Sequence, residues 1–229
     1  MTGAGNHIQE AICHGLCEVV ERDATAMSWD RCAADQQRRR IDLTSIDAPA
    51  CQFILGQFAR ADIQIAVWDL TSDIGIPVFG CVIADLHEVR SAGLPPAGGY
   101  GCHPNREIAL LRALTEAAQS RLTAISGARD DLHTDDYRLD AEARAEILEI
   151  WNEPTSRLFH TVKSHHHSSF ESDLDWILEA LAGCGFDEVI AVDLSKPNVG
   201  IPVVKVIVPG LQIAVRQGDT EPLSRRVVP

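Results

Sequence analysis

Asn6-His7-Ile8-Gln9-Glu10-Ala11-Ile12-Cys13-His14-Gly15-Leu16-Cys17-Glu18-Val19-Val20-Glu21-Arg22 is the stretch whose periodicity decides the fold. Ile8, Ile12, Leu16, Val19 and Val20 recur at intervals of three and four, which predicts an amphipathic helix over 6–28. Asn6 is expected to cap it, and Glu10 to lie in the first turn, where the helix dipole favours an acid. At about 100° per residue, with Glu10 as origin, Asn6 falls near −40°, Glu21 near 20°, His14 near 40°, Glu18 near 80° and Arg22 near 120°. The apolar set occupies roughly 160° to 280° of the same wheel. One face is therefore oily and the other holds three carboxylates. Like charges on one helical face repel, more so when covered. Either solvent relieves them, or bound cations do; hard carboxylate oxygens would suit magnesium.

A second long helix is expected over 105–126, with Pro104 at its first position. Its polar row is Arg112, Thr115, Glu116, Gln119 and Thr123. Arg112 and Glu116 are four apart, so an intrahelical ion pair accounts for them. Arg112 on phosphate with Glu116 on a metal is the other reading, and spacing does not choose between the two.

Between these helices, 49–60 reads as a helix that buries Phe53, Ile54, Phe58 and Ala61. A short helix fits within 30–47. Strands are expected at 63–69 and 76–84, and the glycine-rich 93–101 reads as a loop. Further on, 128–140 reads as a loop, 141–153 and 172–181 as helices, and 187–193 and 201–208 as strands. His165-His166-His167 reads as an exposed, solvated run. There is an internal echo: Asp69-Leu70-Thr71 followed by Gly75-Ile76-Pro77-Val78, and Asp193-Leu194-Ser195 followed by Gly200-Ile201-Pro202-Val203. The fold class is therefore mixed α/β. Two helix–strand–strand units are expected to share one sheet, packed by the long amphipathic helices.

The chain has 229 residues and a formal charge of −13. Lysine occurs only at Lys163, Lys196 and Lys205, and Arg38-Arg39-Arg40 is the one dense basic run. That balance excludes a phosphate-tracking surface and hence a nucleic-acid partner. No apolar run reaches membrane-spanning length. The start, Met1-Thr2-Gly3-Ala4, carries no positive or apolar leader pattern, and the seven cysteines are odd in number and lack zinc-type spacing. Reduced thiols in a cytoplasmic compartment are the expectation. The sequence contains no Walker-type phosphate loop, no G-x-G-x-x-G between strand and helix, and no G-x-S-x-G elbow. A nucleotide would have to be held by arginines and carboxylate-bound metal.

Gly5-Asn6-His7-Ile8-Gln9-Glu10-Ala11 continuing through His14-Gly15-Leu16-Cys17-Glu18-Val19-Val20-Glu21-Arg22-Asp23-Ala24 resembles the signature stretch of the YcaO family. Leu110-Leu111-Arg112-Ala113-Leu114-Thr115-Glu116-Ala117-Ala118-Gln119 is similar to a second family segment. The run from Asp193-Leu194-Ser195 through Gly200-Ile201-Pro202-Val203 to Val208-Pro209-Gly210-Leu211 is similar to a third. The resemblance implies a YcaO-like fold that binds ATP and Mg2+ without a phosphate loop and activates a peptide backbone amide by phosphorylating its oxygen. By motif, Glu18 and Glu21 would be magnesium ligands, with Glu10 and Glu116 as further ones. Asn6, Glu10, Arg22, Arg112 and Glu116 would form the ATP site. The resemblance assigns no catalytic residue.

Family members extend further at the N-terminus, so the expectation is one partial YcaO-like domain over 1–229. Azoline-forming members commonly end in a P-x-P-x-P tail, which Glu221-Pro222-Leu223-Ser224-Arg225-Arg226-Val227-Val228-Pro229 does not match. Gly101-Cys102-His103-Pro104 and Ile125-Ser126-Gly127-Ala128-Arg129-Asp130-Asp131-Leu132 look more like members that work with a TfuA-type sulfur-delivery protein. Thioamide formation is thus favoured over azoline cyclodehydration, with a ribosomal peptide or protein as substrate. A non-catalytic homologue acting as a peptide- or partner-binding scaffold is the alternative. An exposed sheet edge or apolar patch is expected, with self-association, as in a homodimer, or reliance on a partner.

Overall fold

The computed structural model describes residues 1–29, 33–90, 94–127, 141–152 and 154–211. The loop expected over 128–140 and the tail 221–229 lie outside the described residues. The order is β1 (Thr2–Ala4), α1 (Ile8–Trp29), α2 (Ala33–Arg38), β2 (Ile41–Asp42), α3 (Pro49–Arg60), β3 (Gln64–Asp69), β4 (Val78–Ala84) and α4 (Leu86–Arg90). Then come β5 (Ala97–Cys102), α5 (Arg106–Ser126), α6 (Ala141–Ile150), β6 (Arg157–Leu158), α7 (Phe170–Gly183), β7 (Ile190–Asp193) and β8 (Val203–Ile207).

The two echoed units do not share a sheet, contrary to the sequence expectation. One forms the antiparallel sheet β3-β4-β5 and the other the antiparallel sheet β1-β8-β7; β2 and β6 make a small parallel pair. Each larger sheet has its own core. Leu16, Val20, Ala24, Val204, Val206, Ile177 and Leu181 join α1, β8 and α7 in the first. Val67, Phe79, Ile83, Leu110 and Leu114 join β3, β4 and α5 in the second, with Phe159 from the turn after β6. Because α1 packs between them, touching Val206 on one side and Val78 and Cys102 on the other, the sheets cannot merge.

The echo itself is turn chemistry. Thr71 N–H donates to Asp69 Oδ1 (2.9 Å) and Val78 N–H donates to Thr71 Oγ1 (3.2 Å). The second unit repeats this: Ser195 N–H to Asp193 Oδ1 (2.8 Å) and Val203 N–H to Ser195 Oγ (3.0 Å). Each Asp side chain folds the turn, and each hydroxyl satisfies the first strand N–H after a proline that has none. The strands therefore begin at Val78 and Val203, not at Ile76 and Ile201. Thr71→Val leaves the Val78 N–H unpaired in a part-buried turn and is expected to cost about 1–2 kcal/mol in urea unfolding. Ser195→Ala, in the more exposed turn, is expected to cost less.

Three local readings are corrected. Asn6 does not cap α1: its own N–H (2.6 Å) and side-chain amide (3.2 Å) donate to Glu10 Oε2, and the first helical bond is accepted by His7 O from Ala11 N–H at 3.0 Å. Pro104 precedes the true cap, Asn105, whose side chain accepts from Glu107 N–H. In α3 the buried side chain is Cys51, whereas Phe53 is 65% exposed and Ala61 is exposed, because α5 meets α3 on the other side of that helix.

The largest correction concerns Ala97-Gly98-Gly99-Tyr100-Gly101-Cys102, read as loop and found as β5. Its glycines are there for a close approach. A Cβ on Gly99 would lie 2.2 Å from Ala117 N, and one on Gly101 2.2 Å from Ala109 O. The helix α5 lies directly on the strand backbone, and only glycine leaves room.

The described cysteines 13, 17, 51, 81, 102 and 184 are free thiols, all but Cys184 buried. The histidine run is engaged rather than simply solvated: His167 Nδ1 lies 3.0 Å from Asp173 Oδ1, and the His165 ring stacks 4.1 Å from Trp176. Both contacts draw the run onto α7. No described helix is long and apolar enough to cross a membrane.

Candidate nucleotide and metal site

The polar rows of α1 and α5 converge from either side of β5, with Tyr100 between them. They enclose a cleft of about 540 Å3 lined by His14, Glu18, Glu21, Tyr100, Arg112, Thr115, Glu116, Gln119, Ser120 and Thr123, among others. The two acidic rows of the sequence thus face one another. Opposing apolar faces do the positioning: Leu16, Val19 and Val20 are buried behind Glu18 and Glu21, and Ala109, Ala113 and Ala117 behind Arg112 and Glu116.

Glu21 carries the most strain. Burial, then Glu18, then Glu116 push its carboxyl up to about 8, against the opposing pull of Arg22 and Arg112. Glu116 is also raised, by desolvation and by Glu18, while the Tyr100 backbone N–H and Arg22 act the other way. The Tyr100 phenol is raised in turn by burial, Glu116 and Glu21. Glu18 is relieved by Arg22, whose Nη2 sits 3.0 Å from Glu18 Oε1. Arg112 does not pair with Glu116 by the simple intrahelical route; its Nη1 donates to Cys102 O at 2.9 Å, which aims it along the cleft floor. Beside it His103 accepts from Asn105 N–H at 3.0 Å, and burial and Arg112 push it down to about 4, so the ring is neutral.

Of the sequence-predicted residues, Glu18, Glu21, Arg112 and Glu116 are brought together on the cleft wall. Arg22 stands at the rim through its pair with Glu18. Asn6 and Glu10 bind each other at the start of α1, outside the cleft lining, and the Asn6 backbone N–H draws the Glu10 carboxyl down. Glu10 is eight residues, about 12 Å of helix rise, before Glu18. His14 and Tyr100 were not among the predicted residues. His14 lay on the right arc of the wheel, and Tyr100 is the one large side chain in the glycine stretch.

Among the described residues no group of three or more His, Cys, Asp or Glu side chains is placed to hold a metal ion by itself. Magnesium does not ask for one: it takes one or two carboxylates and fills the rest of its octahedron with water and phosphate oxygens. Two carboxylates held above their ordinary range in one cleft, with an arginine on its floor, fit that use.

A family model described as YcaO cyclodehydratase, ATP- and Mg2+-binding, matches residues 2–212. The chain belongs to the YcaO family. An uncharacterized protein in the tfuA 3' region of Rhizobium leguminosarum bv. trifolii is 36% identical over 232 residues, covering 98% of this chain and 54% of that protein. The solved YcaO protein of Methanopyrus kandleri, bound with AMPPCP and Mg2+, matches with a TM-score of 0.71 at 25% identity, over 92% of this chain and 55% of that one. A heterocyclase in complex with substrate and cofactor matches with a TM-score of 0.72 at 27% identity, over 93% of this chain and 28% of that one. The mixed α/β fold is therefore the YcaO fold. The chain spans about half the length of the curated relatives it matches, 54% and 57% of the first two.

Proposed function

We propose that this chain holds the nucleotide site of an ATP- and Mg2+-dependent enzyme that activates a peptide backbone amide. The observation that carries this reading is the convergence of Glu18, Glu21, Glu116 and Arg112 on one cleft, with Glu21 held near 8. Bare, such a cluster repels itself; filled with dications and a polyphosphate, it is compensated. Glu18, Glu21 and Glu116 would supply oxygen ligands, with Glu10 as an outer one. Arg112 and Arg22 would meet phosphate oxygens, and Asn6 the nucleotide at the start of α1. When bound, Mg-ATP supplies the phosphoryl group that turns an amide oxygen into a leaving group, so that a nucleophile can add at the amide carbon. The chain's own share is electrostatic: fixed arginines and carboxylates, backed by two packed cores, hold charge where it develops. Calorimetry with Mg-AMPPCP tests the reading; absence of heat at high protein concentration, with the folded chain confirmed by circular dichroism, counts against it.

Thioamide formation with a TfuA-type sulfur-delivery partner is the product class we favour, supported by the relative encoded in a tfuA 3' region. On that reading the site lies in the cytoplasm, and the one partial domain spans 1–229.

The second reading, a non-catalytic partner-binding scaffold, is favoured by a different observation. Ile190 and Val192 of β7 and Ile207 of β8 share the outer face of the β1-β8-β7 sheet and are 39%, 42% and 41% exposed. Such a face seeks cover. The chain alone is expected to self-associate in light scattering, and Val192→Lys with Ile207→Lys to shift it toward monomer. A wild-type chain that stays monomeric at hundreds of micromolar removes this expectation.

A further inference from the structure

A second cleft, of about 460 Å3, adjoins the acidic one. Its base is the face of the β3-β4-β5 sheet turned away from α5. The register aligns Trp68, Gly80 and Tyr100 across the three strands, so two aromatic rings rise on either side of a residue without a side chain. Leu70 lies over that glycine: a Cβ on Gly80 would meet Leu70 Cδ1 at 2.9 Å and Tyr100 Cε1 at 3.4 Å, so Gly80 and Leu70 together form the floor. Val82 and Ile150 of α6 add to the apolar lining, and Ser28, Gln36 and Arg39 make up its polar side. Tyr100 lines both clefts. Its ring walls the apolar trough, while its phenol feels Glu21 and Glu116 on the other side.

We propose that the Trp68–Gly80–Tyr100 trough receives an apolar side chain of the peptide substrate and thereby sets that residue's backbone amide beside Tyr100, at the mouth of the carboxylate cleft. This rests on the nucleotide reading above and adds to it where the peptide lies and what chemistry it presents. A trough with two aromatic walls and a floor of Gly80 and Leu70 accepts an aliphatic or aromatic side chain edgewise. The one cation in its lining among the described residues, Arg39, is already held by Asp35 (3.1 Å) and donates to Thr71 O (3.2 Å), so an acidic residue at that subsite would have to compete for it. Among the described residues Tyr100 is the one that lines both clefts, which puts a seated side chain a short way from the proposed metal-binding carboxylates.

The chain has two tyrosines, Tyr100 and Tyr137, so fluorotyrosine labelling gives two 19F signals, assigned by Tyr137→Phe. N-acetyl-leucine N-methylamide should move the Tyr100 signal, and N-acetyl-aspartate N-methylamide should not. Gly80→Val, which fills the floor at the expense of a flexible Leu70 end, should weaken the leucine probe at least tenfold. Trp68→Ala, which removes a wall, should do the same, and Mg-AMPPCP should still move the Tyr100 signal in both. A leucine probe that leaves Tyr100 unmoved in the wild type, or that acts equally in both variants, overturns the trough. A wild-type signal that answers the leucine probe but not Mg-AMPPCP supports the trough as a side-chain subsite and overturns the nucleotide reading instead.

Discussion

Glu18→Gln combined with Glu21→Gln is expected to abolish Mg-AMPPCP binding in calorimetry and, without ligand, to raise the melting temperature at pH 8. The first effect follows from the loss of two anionic oxygen donors at unchanged volume. The second follows from linkage. Folded Glu21 titrates near 8 against an ordinary 4.5, so from about pH 4.5 to 8 the folded chain holds a proton that the unfolded chain has released. Stability therefore falls as pH rises through that window. His103 runs the other way: lowered to about 4 from 6.5, it adds stability as pH rises between those values. The Glu21 and His103 slopes oppose below about pH 6.5, and from there to pH 8 the falling slope is that of Glu21, with Glu116, raised in the same cleft, acting in the same direction. Discounted for residual solvent screening, its size between pH 6.5 and 8 is on the order of 1–2 kcal/mol. The wild-type melting temperature should drop from pH 6.5 to 8, the double variant should lose most of that drop, and millimolar Mg2+ should recover part of the wild-type loss at pH 8. Wild-type affinity for Mg-AMPPCP in the double variant would remove the carboxylates from the nucleotide site, and an unchanged slope would remove Glu21 as its source.

How far the sequence could be read depends on which interactions were local. The helical period of Ile8, Ile12, Leu16, Val19 and Val20 set one face of α1 toward the core, and so set Glu18 and Glu21 on the other. The same holds for Arg112 and Glu116 on α5. The convergence of those two faces is tertiary, and spacing along either helix carries no trace of it. Asn6 illustrates a local misreading: a good capping residue was pre-empted by Glu10, whose longer side chain reaches back to the Asn6 N–H. The shared sheet failed for a reason of volume, since α1 occupies the space the merged strands would need. Trp68 and Tyr100 could not be paired from sequence, because their meeting depends on a strand that composition assigned to loop.

That strand gives the second large effect. Gly101→Ala is expected to destabilise the chain by at least ~3 kcal/mol, and Gly99→Ala by a similar amount, in urea unfolding. A methyl group on Gly101 would sit 2.2 Å from Ala109 O and 2.6 Å from Ala113 N, and one on Gly99 2.5 Å from Ala113 O. These are main-chain atoms in the middle of a helix, so no rotamer change clears them; α5 must lift as a body. Lifting it loosens Leu110 and Leu114, both fully buried, and carries Arg112 and Glu116 away from Tyr100. The same variants should therefore weaken Mg-AMPPCP binding even under conditions where they remain folded. Gly56→Ala is the contrast: it lies in the middle of α3, exposed, with nothing within 4 Å of the new atom, and should stabilise by about 0.5–1 kcal/mol. If Gly101→Ala unfolds at the wild-type urea midpoint, α5 does not rest on the strand backbone as described, and the width of the carboxylate cleft is set by something else. If it is destabilised as expected, the glycines that made β5 look like a loop are what set α5 down on the strand and so fix the width of the cleft between the two acidic rows.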